Sequence, residues 1–490
     1  MEIGARHSET SAFTVVLYGS DLAGFIAAAT LSHKLPDDYH IIHITPSPIS
    51  PCSALYGGVT GVSGYDLFRA AGIEEPDLIL GTSTSFSYGT SFTNWPSKSG
   101  GWVQCYSQPF MGIEDTPLDQ IASAYDRNLQ DCLVSAQAAL AGRFAHPPDD
   151  PKNPLSRAEY GYHFLADEIA KLAQSKTRPE RVKTIYGQLE EVCISDHVIQ
   201  QLVLSDGTMV KGDMFIDVSG IARDLMTPLA NKFVPDRSLK MSAQAAQTAQ
   251  TGPPCRSIIG STHGWRAVIP LRKRAMALTI ADADDGAPET QASDLNFQTG
   301  RADEAWQANC VSLGNAMCTM EPLSSAPITL LHRALQRLCE LMPIDTDMAI
   351  ERREFNRQTN EDLINATAFH RAHYPKADTP DAPFWKSATS SPLGERLERK
   401  ITQFESRGLL VQYDLEPFNS EDWAILHHGI GRRPRRHDIR ISTIPRAQAF
   451  MDDVSQAIAA LVKRMPPHDQ YLTRFSAYLE KKQYDRTASR

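Results

Sequence analysis

The sequence predicts an α/β fold built on a doubly wound parallel sheet, and three neighbouring segments near its start carry that expectation. Ala12 to Tyr18 is a short apolar run containing Phe13, Val15, Val16 and Leu17, which reads as a buried strand. Asp21 to Lys34, rich in alanine and leucine, reads as a helix, and Tyr39 to Ile44 as a second strand. Strand, glycine turn, helix and strand in that order form a βαβ unit, whose right-handed crossover sets the two strands side by side and parallel.

Farther along, Tyr160, Phe164, Leu165, Ile169 and Leu172 recur at helical spacing and predict a helix over Ser156 to Ser175. Val198 to Leu204 and Val210 to Val218 flank an Asp206-Gly207 turn and predict a hairpin that ends in a sheet strand. Leu330 to Leu341 and Ala447 to Arg464 are strongly helical. Pro147 to Pro154, Gly252 to Pro254 and Ala281 to Ser293 are rich in Pro, Gly, Asp and Ser and read as loops, none long enough to be an interdomain linker. Residues 1–11 read as a flexible start, residues 12–475 as one two-lobed unit, and 476–490 as a charged tail, frayed from Tyr478.

Composition narrows the function. A chain of 490 residues with 42% hydrophobic content can bury a substantial core. Its formal charge of −9, from 58 acidic against 49 basic residues, argues against a nucleic-acid binder, whose footprint is basic, and favours small molecules or proteins as partners. No run reaches the ~18 apolar residues of a membrane span, so a cytoplasmic protein without membrane attachment is expected. Eight cysteines (Cys52, Cys105, Cys132, Cys193, Cys255, Cys310, Cys318, Cys339) are scattered with no CxxC pair, which predicts reduced thiols rather than disulfides or zinc. His427-His428 lacks carboxylate or cysteine partners at ligand spacing, so it reads as packing and no metal site is expected. The basic run Gly431 to His437 reads either as a solvated loop or as an anion-capturing set of arginine forks. No GxSxG elbow or P-loop is present, leaving acyl transfer and nucleotide hydrolysis without support.

Several segments are more specific. Gly264-Trp265-Arg266-Ala267-Val268-Ile269-Pro270 is similar to a GWxWxIP signature, and Ser85 to Trp95, Phe215 to Gly220, Asn309 to Gly314 with Met320 to Leu323, Ala372 to Tyr374, Pro383 to Trp385 and Met465 to His468 follow in matching order. Together, from about Phe13 to Leu472, the chain resembles the flavin-dependent tryptophan halogenases. The resemblance implies an FAD-binding Rossmann-like lobe (mainly 12–50, 155–225 and 295–345) packed on a mostly helical substrate lobe (mainly 51–154, 226–294 and 346–475). It implies FAD as cofactor, reduced by a separate flavin reductase, and an aromatic, indole-like substrate. Carried over by position, the cofactor contacts are Gly19, Ala23, Gly24, Leu189, Asp217, Gly220, Gly314 and Ile328, and the substrate contacts are Phe86, Gln108, Phe110 and Trp265.

The chemical residues of that family are missing. The second glycine of the fingerprint turn Gly19-Ser20-Asp21-Leu22-Ala23-Gly24 is Asp21, where a pyrophosphate approaches too closely for a side chain. A carboxylate there repels phosphate by about 4 kcal/mol at ~4 Å and an effective dielectric of ~20, so flavin binding is expected to be weak. The same Asp21 also reads as a ligand-free N-cap worth roughly 1 kcal/mol. The ribose-binding acid aligns with Pro46, with Thr45 and Ser47 beside it, and the family's GxGEAT loop aligns with Ala54 to Val59. The family lysine is replaced by Ser87, with Lys98 nearby in a separate loop, and the assisting glutamate by Ser324. The halide-binding Thr-Gly amides become Ala326-Pro327, and proline has no N–H to donate. Trp265 survives while the second signature tryptophan is Ala267, leaving Trp265 and Glu321 as the remaining catalytic candidates. Two readings follow: an FAD-dependent monooxygenase or oxidase that does not halogenate by the lysine mechanism, or a catalytically silent relative that binds an aromatic metabolite or pairs with an active homologue. A homodimer is the other assembly considered.

Overall fold

Val15, Val16 and Leu17 are fully buried on both faces of their strand, which is why the segment is continuously apolar rather than alternating. In the computed structural model, which describes residues 13–46, 48–96, 101–107, 110, 112–283, 295–375 and 380–488, this strand, β1 (Phe13–Tyr18), is central to a six-stranded sheet. It pairs in parallel with Met214–Asp217 on one side and with β2 (Tyr39–Thr45) on the other. Cys310–Ser312 and Val182–Tyr186 extend the parallel sheet, and Trp306–Gln307 closes one edge antiparallel. The helix α1 (Leu22–Lys34) follows β1 as the βαβ reading requires.

The α/β class holds, and the two faces of the sheet are covered differently. Leu22, Phe25, Ile26 and Leu31 of α1 pack into the main core with Val15 and Leu17. On the opposite face Val16, Tyr18, Ile44 and Phe215 pack against Ile199, Leu202, Leu204 and Val210 of a three-stranded antiparallel sheet, so strands rather than helices cover that side.

A second sheet of eight strands was not legible in the sequence pattern. It runs in the order Cys318–Thr319, Leu295–Ala302, Phe233–Gln247, Arg274–Asp282, Gly264–Leu271, Arg256–Ser261, Gly89–Thr93 and Gly101–Cys105. Segments assigned by the resemblance to different lobes pair here, as Leu239 with Phe297, so the two lobes share a sheet. The long helices Ala349–Ala372 and Ala447–Arg464 fall within the stretch 346–475 that the resemblance assigns to the substrate lobe.

Three expectations are corrected. Ser156 to Ser175 is not one helix: Gly161–His163 is a strand paired with Ser85–Ser87, and the helix begins at Ala166 and runs to Lys176. Tyr162 and Phe164 are fully buried, and an all-buried strand cannot be told from a helix by apolar spacing. Val210 to Val218 divides at Gly212 into Met209–Lys211 of the hairpin and Met214–Asp217 of the parallel sheet. The terminal residues do not fray at Tyr478; the helix His468–Ala488 continues, anchored by buried Leu472 and Leu479. The predicted loop at Ala281 to Ser293 opens as strand through Asp282, and its later part, like residues 1–11, Ser47, Lys98 and Gln108, lies outside the described residues. Among the described residues no helix is long and apolar enough to cross a membrane, and all eight cysteines are free thiols.

Leu479→Ala is expected to lower stability by roughly 2–5 kcal/mol, the range for emptying a buried leucine site, read as a shift of the urea unfolding midpoint. A midpoint equal to that of the native chain would mean that this turn of the helix is not packed.

Candidate functional site

The turn between β1 and α1 is where a dinucleotide would sit, and its second position carries a carboxylate that the fold has buried completely. Asp21 Oδ1 accepts hydrogen bonds from the Leu22 amide at 2.8 Å and the Ser53 hydroxyl at 2.7 Å. Its Oδ2 accepts from the Tyr56 hydroxyl at 2.8 Å and the Asn315 amide at 3.2 Å. The donors are themselves completed: Ser53 accepts from Leu22 N at 2.9 Å and Asn315 donates to Cys52 O at 3.2 Å. Burial holds the Asp21 carboxyl above the usual carboxylate range, and the donors Ser53, Tyr56, Leu22 and Asn315 offset this only in part. Burial, reinforced by the charge of Asp21, holds Tyr56 well above the ordinary tyrosine range, so it stays a donor.

Two glycines show how the neighbouring space is used. Gly220 has φ +73°, and a Cβ there would lie 2.3 Å from Cys52 Sγ; at Gly314, φ +58°, it would lie 2.1 Å from the Tyr56 hydroxyl oxygen. Cys52, Ser53, Tyr56 and Asn315 are each 3% exposed or less. Protein atoms fill the cradle, and these residues do not fit the pyrophosphate of FAD.

The other cofactor positions are occupied by structural work. Ala23 and Gly24 are buried in the first turn of α1, and a Cβ at Gly24 would meet Val218 Cγ2 at 2.9 Å. Asp217 spends one oxygen on the Ser219 amide and hydroxyl and the other on the amides of Leu225 and Met226 at 3.0 and 2.9 Å. The Leu189 amide donates to the Tyr18 hydroxyl at 3.1 Å, and Ile328 is core. Arg256, fully buried, draws together the segments the resemblance assigns to the flavin loop and the halide stretch. Its guanidinium donates to Gly57 O at 3.1 Å, Pro322 O at 2.9 Å, Leu323 O at 2.7 Å and Thr90 Oγ1 at 3.2 Å. Burial lowers it to about 10, so it stays charged at neutral pH.

At the reacting positions, Ser87 is fully buried and its hydroxyl oxygen accepts from the Gly89 amide at 3.2 Å. Ser324 Oγ accepts from the Ala326 amide at 3.2 Å, and Pro327 stands in the first turn of the helix Ala326–Glu340, where its missing N–H costs nothing. Phe86, a predicted substrate contact, is buried and stacked on Phe144 at 4.3 Å between centroids. The two catalytic candidates meet: Trp265 Nε1 donates to Glu321, which also accepts from the Tyr374 hydroxyl at 2.5 Å and pairs with Arg237 at 3.0 Å and His370 at 3.5 Å. Burial pushes Glu321 up, but Arg237, His370 and Tyr374 outweigh it and hold it at about 2. A carboxylate this committed to protein partners is a brace between strands and the helix Ala349–Ala372.

The substrate side has an open cavity of about 230 Å³, lined by Phe92, Phe369, Phe418, Gln104, His373 and Asp422 among others, with Thr90 and Ser324 also in its wall. His373 Nδ1 donates to Phe369 O at 2.9 Å, leaving a buried Nε2 with no partner among the described residues. Desolvation, with His370 adding to it, lowers His373 to about 3, so the ring is neutral and Nε2 is an acceptor. Desolvation also pushes Asp422 up to about 7, while one of its oxygens accepts from Asn419 N at 2.9 Å. Phe110 lines an adjoining apolar cavity of about 110 Å³, and Tyr106 and Ser107 border both spaces. In the basic run, Arg432 donates to His427 Nδ1 at 2.7 Å and lies 3.5 Å from Glu405, while Arg433 donates to His428 O at 2.9 Å, so these two side chains are spent within the protein. His427 stacks on Phe404 at 4.2 Å, and no metal-binding group is formed among the described residues.

The fold is the one seen in solved flavin-dependent halogenases. The tryptophan halogenase family model matches residues 14–446. The chain belongs to that family. It is 24% identical to a tryptophan 6-halogenase of Streptomyces albogriseolus across 92% of this chain and 96% of that one, and 25% identical to a tryptophan 7-halogenase of Lentzea aerocolonigenes across 91% and 94%. Among solved structures, a flavin-dependent halogenase from Xanthomonas campestris superposes with a TM-score of 0.86 at 24% identity, covering 95% of this chain and 98% of that chain.

Sequence reasoning identified Asp21 but missed Ser53, Tyr56 and Asn315, which close the cradle with it, and Arg256, which ties the Gly57 turn to Pro322 and Leu323. Tyr56 stands inside the segment aligned with the GxGEAT loop, and that exchange was the available signal. The Glu321 brace makes a testable claim. A carboxylate held below its ordinary value of 4.5 stabilises the fold above that pH and loses the contribution as pH falls toward 2. Glu321→Gln is expected to cost roughly 3–5 kcal/mol at neutral pH by leaving Arg237 unpaired and to flatten the acid limb of the stability curve. Unchanged acid unfolding in the variant would show that the brace is not the source of that limb.

Proposed function

We propose that this chain is a halogenase-fold protein that binds an aromatic small molecule in the Phe92–His373–Asp422 cavity and does not oxidise halide. The observation that carries the reading is the contrast between a retained, aromatic-lined cavity and a closed cofactor turn. The rings of Phe92, Phe369 and Phe418 supply a surface for stacking, and Phe369 and Phe418 already lie face to face at 3.9 Å. The orphaned Nε2 of His373 calls for a ligand N–H or O–H, because a buried acceptor without a partner costs about 1–3 kcal/mol. An indole-like molecule, apolar with one ring donor, answers both demands.

Halide oxidation lacks its parts: a serine with its oxygen turned to Gly89 N in place of the lysine, a serine in place of the glutamate, and a proline in the helix turn that would present halide amides. The monooxygenase or oxidase reading needs flavin at the α1 turn, and both the carboxylate repulsion and the filled cradle support binding too weak for turnover. On this reading no flavin reductase is required.

Titration of the full chain with indole, tryptamine and tryptophan, followed by calorimetry, is expected to show saturable binding by at least one. His373→Phe, which keeps the ring and removes the acceptor, should weaken it about tenfold, or ~1.4 kcal/mol. Absence of binding by all three, or equal affinity in the variant, contradicts the assignment. Ser87→Lys supplied with reduced flavin, oxygen and bromide is expected to yield no brominated indole, and its appearance would refute the loss of halogenation chemistry.

A further inference from the structure

We infer that Asp21 is a built-in substitute for the cofactor's pyrophosphate: the protein has moved an anion of its own into the flavin cradle, which makes the fold self-sufficient without FAD. This goes beyond ligand binding in the substrate cavity and stands on different residues.

A pyrophosphate-binding turn offers an anion three things: the positive end of a helix, amides free of intrahelical partners, and polar donors from the surrounding loops. Here the helix is the thirteen-residue α1, and its first amide, Leu22 N, goes to Asp21 Oδ1. The loop donors come from two distant parts of the chain, Ser53 and Tyr56 from the segment after β2 and Asn315 from the turn after Cys310–Ser312. All four bonds point donor to carboxylate, two on each oxygen, which is the pattern of an anion receptor filled to capacity. The ligand that fills it is covalently part of the chain, so its local concentration cannot be matched by free FAD.

Closure extends past the carboxylate. Tyr56 reaches across the turn at Gly314, and Cys52 occupies the space before Gly220. A dinucleotide entering here would have to displace Asp21, Tyr56 and Cys52 together. The tie between the β1–α1 turn, the 51–56 segment and Asn315 is made within the protein, by these side chains together with the backbone bond from Ser50 N to Ser20 O at 2.9 Å.

The test uses the full chain and thermal melting. For the native protein, the midpoint is expected not to move with millimolar FAD, inorganic phosphate or formate, and equilibrium dialysis should show no saturable FAD uptake. Asp21→Gly, which restores the fingerprint glycine, should melt lower, and formate or phosphate should raise its midpoint saturably by refilling the vacated receptor. Asp21→Asn keeps the shape and removes the charge, and should also melt below the native protein; it carries the test if the glycine variant does not fold. Saturable micromolar binding of FAD by the native chain, a glycine variant that ignores added anions, or an asparagine variant with the native midpoint would each overturn the inference. None of these outcomes depends on the indole titration, so failure of one proposal is distinguishable from failure of the other.

Discussion

The structure turns on one buried carboxylate. Asp21 sits at the positive end of α1 with four donors on its two oxygens, and this network joins three parts of the chain that are far apart in sequence. An unpaired charge in that position would be prohibitively costly; a fully bonded one is tolerated and fixes the geometry of its partners. Because Ser53 and Asn315 are themselves completed by Leu22 N and Cys52 O, the network has little polar capacity left for an outside ligand.

Around that centre the molecule repeats one theme: buried polar groups are committed to protein partners. Arg256 ties the Gly57 turn to Pro322 and Leu323. Glu321 and Trp265 join Arg237 and Tyr374 in a brace. Ser87 is held by its own turn. Fold and function separate cleanly in such a case, since the layers and registers are set by apolar burial and backbone pairing while reactivity depends on a handful of side chains. The cavity departs from the theme, for it is lined by aromatic rings and by His373, whose Nε2 has no partner among the described residues.

Much of this was legible in the sequence. β1, α1 and β2 announced themselves through an apolar run, an alanine-rich helix and a capping aspartate, because local propensity and burial agree there. The resemblance also sets Ser87, Ser324 and Ala326-Pro327 against the family's lysine, glutamate and halide amides. What stayed hidden depends on tertiary pairing. Gly161–His163 carries helix-like spacing yet pairs with Ser85–Ser87 in the core, and the eight-stranded sheet draws strands from Gly89–Thr93 to Cys318–Thr319. Ser53, Tyr56 and Asn315 are ordinary loop residues until the fold points their donors at Asp21. The charged composition of the C-terminal helix concealed the one face that Leu472 and Leu479 bury.

The most direct measurement is electron density at the start of α1 in crystals soaked with excess FAD. The account predicts an unaltered turn, with the Asp21 oxygens still held by Ser53, Tyr56 and Asn315 and no dinucleotide between Gly19 and Gly314. Density for a pyrophosphate at that turn, with the Asp21 side chain rotated away from its donors, would contradict it.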